Sequence, residues 1–311
     1  MGDTIEKTWR MASHLAACVA ALLTQTACET NADDIDTSGG SAINVMTCLF
    51  RPSDTITVHL SASVPYDSEL TEAAVGNAYV DLGVNGEPVW TLHLTEGQTS
   101  ATFPTQRLTA TDSITITADI DGSANPLRAT ARVMSVIPIE KIDTATSADK
   151  MSLRINVIMT DPQETADYYQ ITAHLVSYKD GAMTDTTLQC EYESSVFRDL
   201  SDDISQSASI GLFNDERLLR NADNQSSLRL TASWADLSAP PGVGADSIFL
   251  AVRLHHLHED LYNFLYSCQQ ARKYILLPVF GTTSVTSNVD GGNGIVACVV
   301  YDERRFLIGN P

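Results

Sequence analysis

His255, His256 and His258, followed by Glu259 and Asp260, are the densest set of metal-capable side chains in this chain. His256 and His258 stand two apart, which puts side chains on one face of a strand, yet the hydrophobic period turns helical at that point. A metal site needs ligands that converge and outer groups that orient them. Acidic groups at a helix start are stabilised by the helix dipole, so His258, Glu259 and Asp260 are read as a cap. No metal and no cofactor are expected.

Other chemistry-bearing groups meet similar alternatives. Asp119, Asp121, Gly122 and Asn125 look like half of a calcium loop, but Thr130 stands where the twelfth-position glutamate belongs, so a turn between strands is expected. Asn288, Asp290, Gly291, Gly292 and Gly294 form a glycine-rich loop, a candidate binding feature because bare backbone N–H groups can approach a ligand. It lacks the strand-before, helix-after setting of a nucleotide fingerprint, and a tight turn requiring positive φ accounts for it equally. Tyr168, Tyr169, Tyr178 and Tyr192 could line a groove for carbohydrate or peptide, or simply half-fill strand faces. No Gly-x-Ser-x-Gly elbow and no His-Glu-x-x-His helix occur.

Cys28 carries a different chemistry, that of a sulfur awaiting acylation. Lys7 and Arg10 precede an apolar run from Met11 to Thr24, and Gln25-Thr26-Ala27-Cys28 ends it on small residues and cysteine. That is the layout of a lipoprotein signal, so residues 1–27 are expected to be removed and Cys28 lipidated. The run is too short for a membrane span, which needs about 20 apolar residues. Residues 28–43, acidic and then rich in Gly and Ser, read as a flexible tether.

The elements that must position these groups are mostly strands. From 44 to 136, short runs such as Ile56-Val58-Leu60 and Ile114-Ile116-Ala118 alternate with polar residues, and Asn85-Gly86 marks a hairpin. About seven such strands predict an immunoglobulin-like β-sandwich, although the Cys–Trp–Cys spacing of a true immunoglobulin domain is missing. Ile137-Pro138-Ile139 reads as a hinge into a β-rich second domain over 137–311. There Leu153–Val157, Tyr168–Tyr178, Leu188–Tyr192, Leu228–Trp234 and Ser247–Leu254 are expected strands. Leu257, Leu261, Phe264, Leu265 and Cys268 predict one amphipathic helix at about 258–273, and Ile295–Val300 a final strand. Asp199–Ser209 and Pro240-Pro241-Gly242 are expected loops.

With 19 Lys and Arg against 39 Asp and Glu, the chain carries a net charge of −20. Such a surface repels nucleic acid, which is excluded as a partner. Beyond Cys28, four cysteines remain in the expected mature chain: Cys48, Cys190, Cys268 and Cys298. Their spacing suits no zinc pattern. Three disulfide pairings are open, as is burial of free thiols as small apolar residues.

The C-terminal third resembles a known family. Leu261-Tyr262-Asn263-Phe264-Leu265, then Pro278-Val279, then Ser287-Asn288-Val289-Asp290-Gly291-Gly292-Asn293-Gly294-Ile295-Val296 are similar to the end of the Bacteroidota outer-membrane lipoproteins called domain of unknown function 4249. Thr160-Asp161-Pro162 with Tyr168-Tyr169, and Phe213-Asn214-Asp215-Glu216, match its other recurring pieces. The resemblance implies an outer-membrane location, with genes often beside TonB-dependent transporters, and the acidic residues behind Cys28 resemble a signal for cell-surface exposure. It implies no reaction and no catalytic residues. The expected function is therefore a non-catalytic surface lipoprotein held in outer-membrane lipid by acylated Cys28, binding a ligand or assisting a TonB-dependent transporter. A structural or adhesion spacer is the alternative, and an extracellular hydrolase using loop carboxylates a weaker one.

Overall fold

The computed structural model describes residues 42–64, 73–147, 152–162, 165–192, 196–197, 210–233, 247–275 and 284–309. The signal, Cys28 and the tether up to residue 41 lie outside these, as do Asp199–Ser209, Pro240-Pro241-Gly242 and Pro278-Val279.

The protein is mainly β. Strands β1 (Asn44–Phe50), β2 (Ile56–Ala62) and β5 (Ser100–Phe103) form one sheet, and β3 (Ala78–Val84), β4 (Glu87–Leu94), β6 (Ser113–Ile120) and β7 (Leu127–Arg132) another. Alternate residues of each point inward: Met46, Cys48, Phe50, Val58 and Leu60 meet Val80, Leu82, Ile114 and Ile116 in one buried core. Period-2 alternation dictates this result, because only one face of each strand can leave water. At the β3–β4 hairpin both Asn85 and Gly86 have positive φ, 52° and 85°, the conformation that matches strand twist in a two-residue turn.

A second sandwich follows. One sheet orders β12 (Cys190–Tyr192), β14 (Gln225–Ser233), β9 (Ser152–Thr160) and β8 (Ile139–Thr146). The other orders β11 (Ala182–Thr187), β10 (Tyr168–Lys179), β15 (Ser247–Leu257) and β17 (Val300–Gly309), with β13 (Leu212–Asn214) beside β10. Ile155, Val157, Leu228 and Leu230 face Tyr169, Ile171, Val252 and Leu254 across its core. One helix, α1 (Glu259–Ile275), follows β15 and packs through Leu261 and Tyr262 against Ile295 and Ala297.

Four expectations need correction. Residues 137–311 are not one continuous domain, because β16 (Asn293–Cys298) joins the first sandwich, pairing in parallel with β1. Val296 and Cys298 then fill the first core, which β1 alone leaves uncovered at that edge. The expected strand Ile295–Val300 is in fact two elements, since β17 begins at Val300 and belongs to the second sandwich. Finally, the hinge is shorter than read: Ile139 already pairs with Met159, and the tether ends before Ile43, which exchanges hydrogen bonds with Ser63. Among the described residues no disulfide joins the four cysteines; Cys48, Cys190 and Cys298 are buried and Cys268 is half-buried.

Candidate functional site

Strand β15 is where the chemistry collects, because a strand sends neighbouring side chains to opposite faces. His256 turns inward beside Tyr169, its cross-strand partner, with ring centroids 5.5 Å apart. Its Nδ1 lies 2.7 Å from the Ser135 carbonyl oxygen and its Nε2 3.0 Å from Asp167 Oδ1. Both His256 and Asp167 are only 5% exposed. Asp167 also accepts from the Thr165 hydroxyl at 2.7 Å. Next to this pair, buried Asp161 accepts from the Tyr169 hydroxyl and from Arg220 Nη2 at 2.5 Å. Burial, and then the bond to Asp161, push the Tyr169 hydroxyl far above the usual phenol range.

His256 and Asp167 form part of the wall of a cleft of about 340 Å3 between the sandwiches. Arg132, Val133, Met134 and Ser135 line it from the first sandwich and the linker, and Tyr168, Leu257 and Glu259 from the second. Burial, followed by the charge of Glu259, raises the Tyr168 hydroxyl above its ordinary value. Glu259 is the exposed carboxylate on the second-sandwich wall.

The outward face of the same sheet holds a second network. Arg253 is 9% exposed and donates Nε to Glu303 at 2.6 Å and Nη2 to Asp185 at 2.5 Å. Its Nη1 lies 3.1 Å and 3.4 Å from the two ring nitrogens of His174, so the guanidinium stacks on the ring face. His174 Nδ1 is 2.9 Å from Asp185, and Thr172 Oγ1 lies 2.9 Å from His174 Nε2 and 3.2 Å from His255 Nε2. One proton arrangement satisfies the bonds among Thr172, His174, His255 and Asp185 with neutral rings: His255 donates to Thr172, Thr172 to His174, and His174 to Asp185. Burial, and after it the charges of His174 and Arg253, push His255 down to about 4. Burial and Arg253 lower His174 likewise. For Asp185 burial acts upward, but the hydrogen bond and charge of Arg253 outweigh it and hold the carboxyl below its usual range.

Thr172, His174 and Asp185 thus share the connectivity of a nucleophile, a base and its orienter. The chemistry does not follow. A base must become imidazolium, and the Arg253 charge stacked on His174 penalises that state. The hydroxyl, moreover, belongs to a β-branched residue in mid-strand. The network locks the sheet face.

The residues singled out from sequence separate. His255 and His256 face opposite sides of the sheet, while His258 accepts the Asp260 amide at 3.4 Å and the Tyr262 amide reaches the His258 carbonyl at 3.1 Å, the capping arrangement. Among the described residues no group of three His, Cys, Asp or Glu is placed to hold a metal. Gly122, with φ of 81°, turns the chain between β6 and β7. The tyrosines do not share a groove: Tyr169 is in the core, Tyr168 packs on Tyr262, Tyr178 on Phe249 and Tyr192 on Phe197.

The loop from Asn288 to Gly294 is built into the first sandwich. The Asn288 side chain accepts from Val296 N and donates to Val296 O, both at 2.9 Å, acting as a short strand partner. Asp290 exchanges backbone bonds with Arg128. A Cβ at Gly291 would lie 2.4 Å from the Pro126 carbonyl oxygen, at Gly292 2.4 Å from that of Asn44, and at Gly294 1.9 Å from that of Met46. Backbone approaches backbone here, and the glycines are what permit it.

Asp167, Arg253, Asp185 and Glu303 went unread in the sequence. One signal was present: Arg253 and His255 alternate within the apolar run of β15, which places two polar heads on one face of a central strand.

These features define a tandem β-sandwich protein with a polar cleft at the junction. Residues 32–305 match the family described as Domain of unknown function (DUF4249), and the chain belongs to that family. No curated protein matches it. Among solved structures, a two-domain fibronectin type-III segment of chicken tenascin is similar at 10% identity and a TM-score of 0.22, over 70% of this chain and 91% of that one. The apo β-glucuronidase 3 of Bacteroides uniformis is similar at 10% identity and a TM-score of 0.21, over 69% of this chain and 23% of that one. Nothing about function follows from either.

Proposed function

We propose that this protein is a non-catalytic lipoprotein of the outer-membrane surface, anchored by acyl chains on Cys28, that binds a ligand for a TonB-dependent transporter or assists that transporter directly. The cleft between the sandwiches is the observation that supports this reading. Its buried polar pair, His256 and Asp167, is occupied by Ser135, Thr165 and each other, so the cleft offers shape and fixed polarity instead of a poised nucleophile. Ligand sites favour such concave junctions between domains.

Labelling with radioactive palmitate tests the anchor: incorporation is expected in the native chain and lost in Cys28→Ser. Affinity capture from solubilised outer membranes tests the partnership. Co-purification of a TonB-dependent transporter is expected, and recovery of the lipoprotein by itself counts against it.

A further inference from the structure

The two walls of the cleft carry opposite charge. Arg132 ends β7 of the first sandwich, is exposed, and has no carboxylate partner among the described residues. Glu259 opens α1 on the second sandwich and is exposed too. Half-buried Met134 supplies apolar surface to the same cleft, with the buried Val133 and Leu257 behind it. A guanidinium binds a carboxylate through two parallel N–H donors, whereas a carboxylate beside a phenol hydroxyl suits an ammonium group. The volume, about 340 Å3, lies at the small end of ligand sites.

We infer that the cleft takes a zwitterion of amino-acid to short-peptide size, its carboxylate on Arg132, its ammonium on Glu259 and its side chain over Met134. This rests on the ligand-binding reading above and gives it a substrate class. Because the two charged contacts come from different sandwiches, only a ligand bearing both charges engages both walls at once.

Isothermal titration calorimetry on the full chain tests it, with the dipeptide Ala-Leu, its N-acetyl form and its C-terminal amide as probes. Ala-Leu is expected to bind, and each capped form at least about tenfold more weakly, since each loses one charge-assisted contact. Arg132→Gln should bind Ala-Leu and its amide alike, while still discriminating against the acetyl form. Glu259→Gln should show the converse. Both substituted side chains are exposed, and an unchanged melting midpoint checks that each variant is folded. Equal affinity for all three probes, or no heat with any of them, overturns the inference. Neither outcome bears on capture of a transporter, so the two readings fail separately.

Discussion

His256 Nε2 and Asp167 Oδ1 stand 3.0 Å apart across 89 positions of sequence, and the same imidazole holds the linker between the sandwiches through the Ser135 carbonyl. A carbonyl can only accept, so Nδ1 carries a proton, and the remaining bond is shared by the acid and the base of the pair. One side chain of β15 thereby ties three segments together: the linker, the approach to β10 and its own strand.

Removing that side chain should be costly. His256→Ala leaves the buried Asp167 carboxylate with the Thr165 hydroxyl but without its imidazole partner, and takes the donor from the Ser135 carbonyl, a loss of about 3 kcal/mol. Asp167→Asn keeps a hydrogen-bonding oxygen in place and should cost less. Urea denaturation of both variants checks the order; equal midpoints would argue against the role given to the pair.

Stability should fall as pH drops from about 6.5 towards 4. His255, at about 4 when folded, and His174, also lowered, bind protons more readily in the unfolded chain. Their contribution is present above the unfolded value near 6.5 and is lost below it, at up to about 1.4 kcal/mol per pH unit for each fully titrating group. Asp185 and Glu303, whose folded carboxyls are lowered, lose their contribution lower still, as pH passes below the ordinary carboxylate range. Denaturation midpoints at pH 7 and pH 4.5 should differ less in His255→Phe than in the native chain.

Two glycine substitutions, both at positive φ, should show what crowding adds to backbone strain. Gly294→Ala drives a Cβ to 1.9 Å from the Met46 carbonyl oxygen and should unseat β16 from β1. A loss of more than about 3 kcal/mol, or failure to fold, is expected. Gly86→Ala meets nothing within 4 Å and suffers only its φ of 85°, a cost of about 1 kcal/mol. Thermal melts of the two variants make the comparison.

Tyr169→Phe deletes one of two side-chain donors to Asp161 while keeping the ring packed on Phe213 at 5.1 Å. A loss of about 1.5–3 kcal/mol is expected for a hydrogen bond to a buried charge. Adding Arg220→Met should destabilise further than the two single losses predict, because the carboxylate then has neither donor. A double-mutant cycle reads that coupling.

Local rules made much of this molecule legible before any coordinates. Alternating residues in Ile56–Leu60 and Ile114–Ala118 identify half-buried strands, Asn85-Gly86 identifies the hairpin between β3 and β4, and the helical spacing from Leu257 to Cys268 locates α1, because each of these signals lies within a few residues. Family membership was legible in the order of motifs from Thr160 to Val296. The pairing of β16 with β1 was not, since its partners, such as Val45 and Asn293, are far apart in the chain and meet only in the folded structure. The same holds for the cleft. Arg132 and Glu259 are unremarkable charges in sequence, and Asp167 one acidic residue among 39 Asp and Glu. Periodicity reports which side of an element is buried, but which polar groups then share that burial depends on long-range register, and only the assembled sheets decide it.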